Sequence, residues 1–550
     1  MTTRDDGHRR DAATPAFAPA STTTAAAAVG ESSPWAPLGQ RWFRWLWLGV
    51  LISGIGTTMQ TVGAQWLLVE TPQAAALVAL VQAANTVPVM LLSLPAGVLA
   101  DSFDRRWLLF TVQVYFLVVG LLLVVLTIAG QMPAGLLLAL TFALGCGAAV
   151  QLPAWQATVP ELVPRHQLRS ATRLEMVGVN LARTVGPALA GVVIANFGVP
   201  VVFALNAVSV VWLAVALLFW RRPTVQVARV RERFVPAFRA GARYVWHEPV
   251  VRRVLGRLIV FILPGAALWA LLPVVANQSL GVGAGGYGIL FGALGVGAVL
   301  GALVLGRIRT RISTNAILAA AGVLLGASLA VLIMVPVFWV AMVALIGAGL
   351  SWTTTISSLV AELALFLPVW VRARGMAIWT MVFTGCQAVG AFIWGLIAQQ
   401  AGLQTTFLLA AAAAMAGVAV GLGKRVPDTS HSDPDPVAYW SEARVAVEPE
   451  PDAGPILVSV VFTVAPDKQA AFLEAMEQLR RSRRRTGATR WELYRDADDP
   501  TRFVENFRVP SWEEHQRQHE GRLTAADREV EEAALAFSDP PARADHLLPP

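Results

Sequence analysis

From about residue 42 to residue 423 the chain is a succession of apolar runs, each near the roughly 20 residues of helix that cross a hydrocarbon layer of about 30 Å. Arginine falls in every second connection between them. The runs cover about 42–66, 74–100, 107–129, 133–158, 173–196, 200–220, 254–276, 286–306, 315–334, 337–364, 375–398 and 404–422. The even connections carry Arg105 and Arg106; Arg165, Arg169 and Arg173; a row from Arg221 to Arg253; Arg307, Arg309 and Arg311; and Arg372 and Arg374. The odd ones, around Thr71, Gly130, Phe197, Ser279, Val335 and Gly402, carry neither Lys nor Arg. A soluble core gives no reason for such alternation, whereas the positive-inside rule demands it. The expected fold class is an all-α polytopic membrane protein, twelve transmembrane helices in two six-helix halves. The basic connections and both termini are expected in the cytoplasm, which places the chain in the cytoplasmic membrane.

Composition agrees: 55% of residues are hydrophobic, 14% are charged and the mean hydropathy is +0.57, too apolar for a solvated coat. The net charge of +7 would suggest nucleic acid in a soluble chain. Here it lies beside membrane ends, where it sets topology and meets anionic lipid, so no nucleic-acid partner is expected. Cys146 and Cys386 fall inside apolar runs with no metal or disulfide spacing.

Three stretches lie outside the membrane. Residues 1–40, rich in Ala, Thr and Pro, read as a disordered cytoplasmic tail. Between the halves (41–221 and 253–424), residues 222–252 form a basic linker whose Phe238, Ala242, Val245 and Trp246 share a helical face, expected on the membrane surface. After a Pro/Asp/Glu/Ser linker at 425–454, residues 455–550 turn soluble. Their pattern is a strand at 456–464, a helix at 467–484, strands at 489–495 and 502–509, a helix capped by Ser511 and a closing strand near His546, a small α+β domain of ferredoxin-like type. Val458, Val460, Phe462, Trp491, Leu493, Phe503 and Phe507 form a sheet face more apolar than one short helix layer covers, which predicts a homodimer through this domain.

The loop P-A-G-V-L-A-D-S-F-D-R-R-W-L (Pro95 to Leu108) brings Gly97, Asp101, Asp104, Arg105 and Arg106 to the cytoplasmic mouth and resembles the signature loop of the major facilitator superfamily. Ser102 and Asp104 stand where that family has a basic residue and a glycine. The resemblance implies that Asp101 pairs with the loop arginine and faces the start of the eleventh helix, holding an outward-facing state. In the fifth run, N-L-A-R-T-V-G-P-A-L-A-G places Arg183 deep in apolar sequence, where a charge needs a partner or water. Asn180, Gly186, Pro187 and Gly191 complete this motif, which resembles one the family associates with exporters and antiporters, although small-residue packing explains the glycines equally. With W-Q-A-T-V-P-E-L-V-P-R (155–165), G-Y-G-I-L-F-G-A-L-G-V-G (286–297) and L-P-V-W-V-R-A-R-G-M-A (367–377), residues 42–535 resemble the drug and siderophore exporters called transmembrane secretion effectors. The pattern from W-E-L-Y-R-D to H-Q-R-Q-H in the soluble segment resembles antibiotic-biosynthesis-monooxygenase-like domains, which pair into dimers.

A weak internal repeat supports two homologous halves: G-A-L-V-L-G-R-I-R-T-R (301–311) keeps the glycine and arginines of the Gly97 loop, with Leu305 in place of the Asp. The resemblance implies a secondary exporter, not an enzyme, that exchanges protons for a small molecule by rocking around a midplane cavity, and the aromatic residues and few buried charges favour a lipophilic or amphipathic cargo. No ATP-binding G-x-x-x-x-G-K-[ST] loop occurs and no cofactor is expected. Candidate cavity residues are Gln60, Gln65, Asn85, Gln156, Trp269, Glu362, Trp379 and Gln387, with ordinary packing as the alternative for each. Nutrient import, or an anchored enzyme or sensor whose soluble domain acts on a quinol-like substrate, remain the rival readings. His515 and His519, four apart without a third ligand, read as a solvated helix face and give no metal site.

Overall fold

The computed structural model describes residues 33–221, 234–426 and 449–549. The N-terminal tail up to residue 32, expected to be disordered, lies outside them, as do residues 222–233 of the first linker and most of the second. The first half contains α1 (Arg41–Leu67), α2 (Ala74–Ser102), α3 (Arg105–Ile128), α4 (Ala134–Leu162), α5 (Leu168–Phe197) and α6 (Val199–Phe219). A short helix α7 (Phe234–His247) leads into α8 (Pro249–Val274), α9 (Ala284–Ile308), α10 (Thr314–Met334), α11 (Phe338–Phe366) and α12 (Val369–Gly423). Among the described residues eleven helices are long and apolar enough to cross a membrane. Helices suit that medium because every interior N–H and C=O is satisfied within the segment.

Local sequence sets the breaks. Asp104 caps α3, its carboxylate accepting from the Arg106 and Trp107 N–H groups at 2.9 and 3.3 Å, and Ser313 caps α10. α12 is 55 residues long, about 80 Å if straight, and breaks at Gly402, whose φ of 80° only glycine adopts without strain. Its two parts are each long enough to span.

Within the first half α1 packs on α5 and α6, α2 on α4 and α3 on α6; in the second, α8 and α10 pack on α12, and α9 and α10 on α11. Glycines let backbones touch: Cβ atoms at Gly297 and Gly349 would overlap the carbonyl oxygens of Ile346 and Leu294, which locks α9 to α11. The halves meet along α2–α12, α2–α8 and α5–α9. The close contacts cluster at the arginine-free end, where Gly191 meets Ala284 and Gly288, Gly395 meets Ala79, and Trp66 stacks on Tyr287 at 5.9 Å. Toward the arginine-bearing end, Met176, Val177 and Asn180 of α5 and Val299, Leu300 and Leu303 of α9 are exposed, and a Cβ at Gly97 or Gly306 would meet nothing. The cleft between the halves therefore opens toward the arginines.

The C-terminal unit is β1 (Ile456–Thr463), α13 (Gln469–Thr486), β2 (Arg490–Arg495), β3 (Arg502–Val509), α14 (Trp512–Gly521), α15 (Ala525–Leu535) and β4 (Arg543–Leu547). Its antiparallel sheet runs β2-β3-β1-β4. Strand alternation sends Ile456, Val458, Val460 and Phe462 to one face, where they are buried with Phe472, Met476, Leu479, Phe503 and Phe507. That corrects the expectation of an exposed apolar face. Three helices cover it instead of the expected two, because the segment after Ser511 folds as α14 and α15, so the argument for a dimer through this face lapses.

This unit sits on the membrane part. Arg485 of α13 bridges Asp527 and Glu248, each at 2.5 Å, and Glu248 in turn caps α8; Arg243 of α7 lies 3.7 Å from Glu514, and the Arg522 guanidinium lies 4.9 Å above the Trp370 ring at the start of α12. Tyr244 meets the other side of that contact, edge-on to Trp370 at 5.6 Å. Helix α7 thus lies between the soluble unit and α12. Val245 is buried while Trp246 is 73% exposed, so they do not act as one lipid-facing stripe; the side chain of Phe238 lies outside the described residues.

Candidate functional site

Two ion pairs mark the open end, one in each half. Arg105, in the first turn of α3, donates to Glu161 of α4 at 2.7 Å and to the Ala157 carbonyl at 2.9 Å. Arg309, which caps α9, lies 3.4 Å from Glu362 of α11, whose carboxylate also accepts from Thr314 at 3.0 Å. Each pair joins the basic connection after a half's second span to the end of that half's fourth span, so the two are equivalent by the internal repeat. Arg105 thus holds Glu161; the pairing with Asp101 that the family resemblance implies falls on a side chain outside the described residues. Asp104 serves as a helix cap, and Arg106 donates to the Leu217 and Leu218 carbonyls at the end of α6. Glu161 was overlooked although Glu-Leu recurs at 161–162 and 362–363, near the ends of α4 and α11.

Helix α5 connects the halves through its motif. Gly186 lies against Thr58 of α1, whose hydroxyl donates to the Ala182 carbonyl at 3.0 Å, while Thr184, Pro187, Ala188 and Gly191 face α9. At 100° per residue these two contact faces leave two arcs. One carries Leu181, Val185, Leu189 and Val192, the composition of a lipid face; the other carries Met176 and Arg183 and looks into the cleft, while Asn180 continues the α9 face toward the arginine-bearing end, where it is exposed. Arg183 is exposed, although it lies midway along a 30-residue helix. It is bathed by the cleft rather than paired with Glu362, which Arg309 and Thr314 already hold.

The other candidates divide. Gln60 accepts from the buried Asn206 of α6, Gln65 from the Tyr287 hydroxyl at 3.4 Å, and Asn85 donates to Thr61 at 3.3 Å; these are packing contacts. Gln156 is exposed and Gln387 half-buried; Trp379 is buried. Trp269 sits in an aromatic cluster that sequence reading missed, 5.2 Å from Trp352 and 5.6 Å from Phe291, with Phe261 and Phe383 against Trp352 at 5.8 and 6.3 Å. Four helices contribute those rings, and no linear spacing announces them. The Trp269 indole N–H is buried without a hydrogen-bond partner among the described residues, a donor ready for a ligand. Beside the cluster a small side cleft is lined by Arg257, Phe261, Leu318, Thr355 and Val418. Arg257, also missed, donates to the Gly421 carbonyl in the last turn of α12, where unpaired carbonyls and the helix dipole favour a cation. Along α11, Ser351, Thr355, Ser358 and Glu362 are buried on one face, and the Thr355 and Ser358 hydroxyls lack partners among the described residues.

In the C-terminal unit, His515 and His519 touch at 3.1 Å between Nε2 atoms, and His546 of β4 joins them, its ring 4.8 Å from that of His515. Burial, with the neighbouring imidazoles and Arg483, depresses His515 to about 3; burial, His546 and Arg483 depress His519 to about 4. Below the cluster Arg483 is enclosed by Glu505 at 3.3 Å and Glu531 at 2.7 Å. Burial alone lowers its affinity for a proton, and these two carboxylates reverse that and hold it charged.

A two-halved helical membrane protein with a cleft between its halves that is open at one end is the architecture of a transporter. The chain belongs to the transmembrane secretion effector family, which it matches over residues 32–548. It is 25% identical over 225 residues to the staphyloferrin A transporter of Staphylococcus aureus, covering 41% of this chain and 56% of that one. It is 21% identical over 181 residues to macrolide efflux protein A of Streptococcus pyogenes, covering 33% and 45%. The chain spans about half the length of these curated relatives. In fold it resembles a bacterial homologue of the lysosomal transporter Spinster, in an inward-facing, unoccupied conformation (TM-score 0.55, 15% identity, 73% of this chain and 98% of that one). A bacterial homologue of the iron transporter ferroportin, also inward-facing, gives a TM-score of 0.54 at 16% identity over 70% and 98%.

Proposed function

We propose that the protein is a secondary active exporter that carries a lipophilic or amphipathic small molecule, a drug, siderophore or secondary metabolite, out across the cytoplasmic membrane in exchange for protons. The observation that carries this reading is the cleft: closed by α5 and α9 at the arginine-free end, open at the other, with Arg183 and Asn180 exposed on α5. The positive-inside rule assigns the open end to the cytoplasm, which makes the conformation inward-facing and ready to load. The break at Gly402 supports a reading of twelve crossings, an even number that would leave both termini on the cytoplasmic side. Names of the relatives, a siderophore transporter and a macrolide efflux protein, support export of amphipathic organic molecules. Glu362, at the end of the α11 hydroxyl stripe, is the proposed proton carrier, because its partner Arg309 is partly exposed and can release it. The C-terminal unit, with strand order β4-β1-β3-β2, is read as a ferredoxin-like, monooxygenase-like accessory domain without an activity of its own.

Proteoliposomes with an imposed pH gradient, loaded with a panel of macrolides and siderophores, test the reading. Gradient-driven movement of at least one compound, abolished by a protonophore, is expected. Drug sensitivity that expression leaves unchanged in a pump-deficient strain, with no gradient-driven flux, would refute it.

A further inference from the structure

Strand β4 pairs with β1 so that His546 lies opposite Val458, whose side chain is fully buried under the helices. His546 therefore points into the layer between sheet and helices, where α14 presents His515 and His519 one turn apart. One ring nitrogen from each of the three lies within 4.8 Å of the other two. A tetrahedral ion with metal–nitrogen bonds near 2.1 Å holds its ligands about 3.4 Å apart, so small ring rotations close the set. His515 is 1% exposed, and its Nδ1 and the His546 Nε2 are buried without hydrogen-bond partners among the described residues. Burial keeps these rings neutral, the form that ligates.

We propose that His515, His519 and His546 form a binding site for a divalent transition ion such as Zn²⁺, with three imidazole ligands and one position open to water or another donor. Three nitrogens and no oxygen ligand exclude Mg²⁺ and Ca²⁺ and suit Zn²⁺, Co²⁺, Ni²⁺ or Cu²⁺. The ion also answers a structural need: β4 is a five-residue edge strand with four exposed residues, held by its ladder to β1, and a metal would pin it to α14. The site is independent of the transport reading.

The test uses the full chain, purified without a histidine tag, stripped by chelator and titrated with Co²⁺ and then Zn²⁺. One equivalent of Co²⁺ should give a visible absorption band that Zn²⁺ bleaches, and Zn²⁺ should slow hydrogen exchange across 543–547. His519→Ala and His546→Ala, at half-buried positions, should each weaken binding about a hundredfold or more, while His247→Ala on α7 should not. His519→Gln serves if the alanine variant loses the fold. Binding that is absent from the stripped protein, or equally tight in the His519 and His546 variants, overturns the site.

Discussion

The closed end rests on one backbone crossing, and Gly191→Ala tests it. A Cβ at Gly191 would stand 2.5 Å from the Ala284 carbonyl oxygen and 2.7 Å from the Gly288 Cα, both backbone atoms that cannot turn aside. Ordinary contact needs about 3.4 Å, so α5 and α9 must separate by close to 1 Å or distort, at about 1–3 kcal/mol for overpacking. The cost falls only on the state in which these helices touch, so all of it appears in the equilibrium between states, a shift of about 5–150-fold. Gly292→Ala, on the same helix α9 with nothing within 4 Å of the added atom, is the matched control. Spin labels at Phe197 and Gln278 in a variant lacking Cys146 and Cys386 report the closed end by electron–electron distance, and labels at Phe103 and Arg311 report the open end. Gly191→Ala should lengthen the first distance and shorten the second, while Gly292→Ala leaves both alone. Distances in Gly191→Ala that match the unmodified protein at both ends would refute the account of how the halves close.

Further outcomes follow from other contacts. Glu161→Gln and Glu362→Gln should each cut transport by about tenfold or more, the scale of one charge-assisted bond; pH-gradient flux should be lost only in the Glu362 variant, and equal behaviour of the two would separate proton coupling from Glu362. Arg183→Leu should insert normally yet raise the KM for an anionic substrate, with Arg183→Lys intermediate; unchanged kinetics in both would remove Arg183 from the cleft's function. Trp370→Ala with Arg485→Ala removes a cation–π contact and an ion pair and should release the C-terminal unit to proteolysis, while cleavage near Asp452 should leave a folded transporter. Protease resistance of the double variant would show that the docking relies on other contacts.

The membrane part was legible because its cause is additive along the chain. Length, apolarity and the placement of arginine each act span by span, so the spans and the alternation survive ignorance of every tertiary contact. The same holds for the strands at 456–463 and 502–509, whose period-two burial is written in I-L-V-S-V-V-F-T and R-F-V-E-N-F-R-V. Coverage of that sheet was not legible. It depended on α14 and α15 being two helices, and the second is announced only by a capping box at Thr524 and Asp527 within a polar stretch.

Sites made by convergence hid for a related reason. Arg183 stood out because one charge in an apolar run is a local anomaly, and Arg257, only a few residues from the basic end of α8, passed as part of the positive-inside signal. Glu161 was concealed by the family expectation itself, since a loop that already offers Asp101 and Asp104 gives no reason to look 56 residues ahead for a further partner of Arg105. The histidines make the point in physical terms. Two on one helix, His515 and His519, cannot define a site, because coordination needs donors arriving from more than one direction. The third arrives on β4, the last strand, and only its register against Val458 turns its ring toward the other two. A shift of one residue would put Asp545 or Leu547 in that place and leave the pair on α14 a helix face.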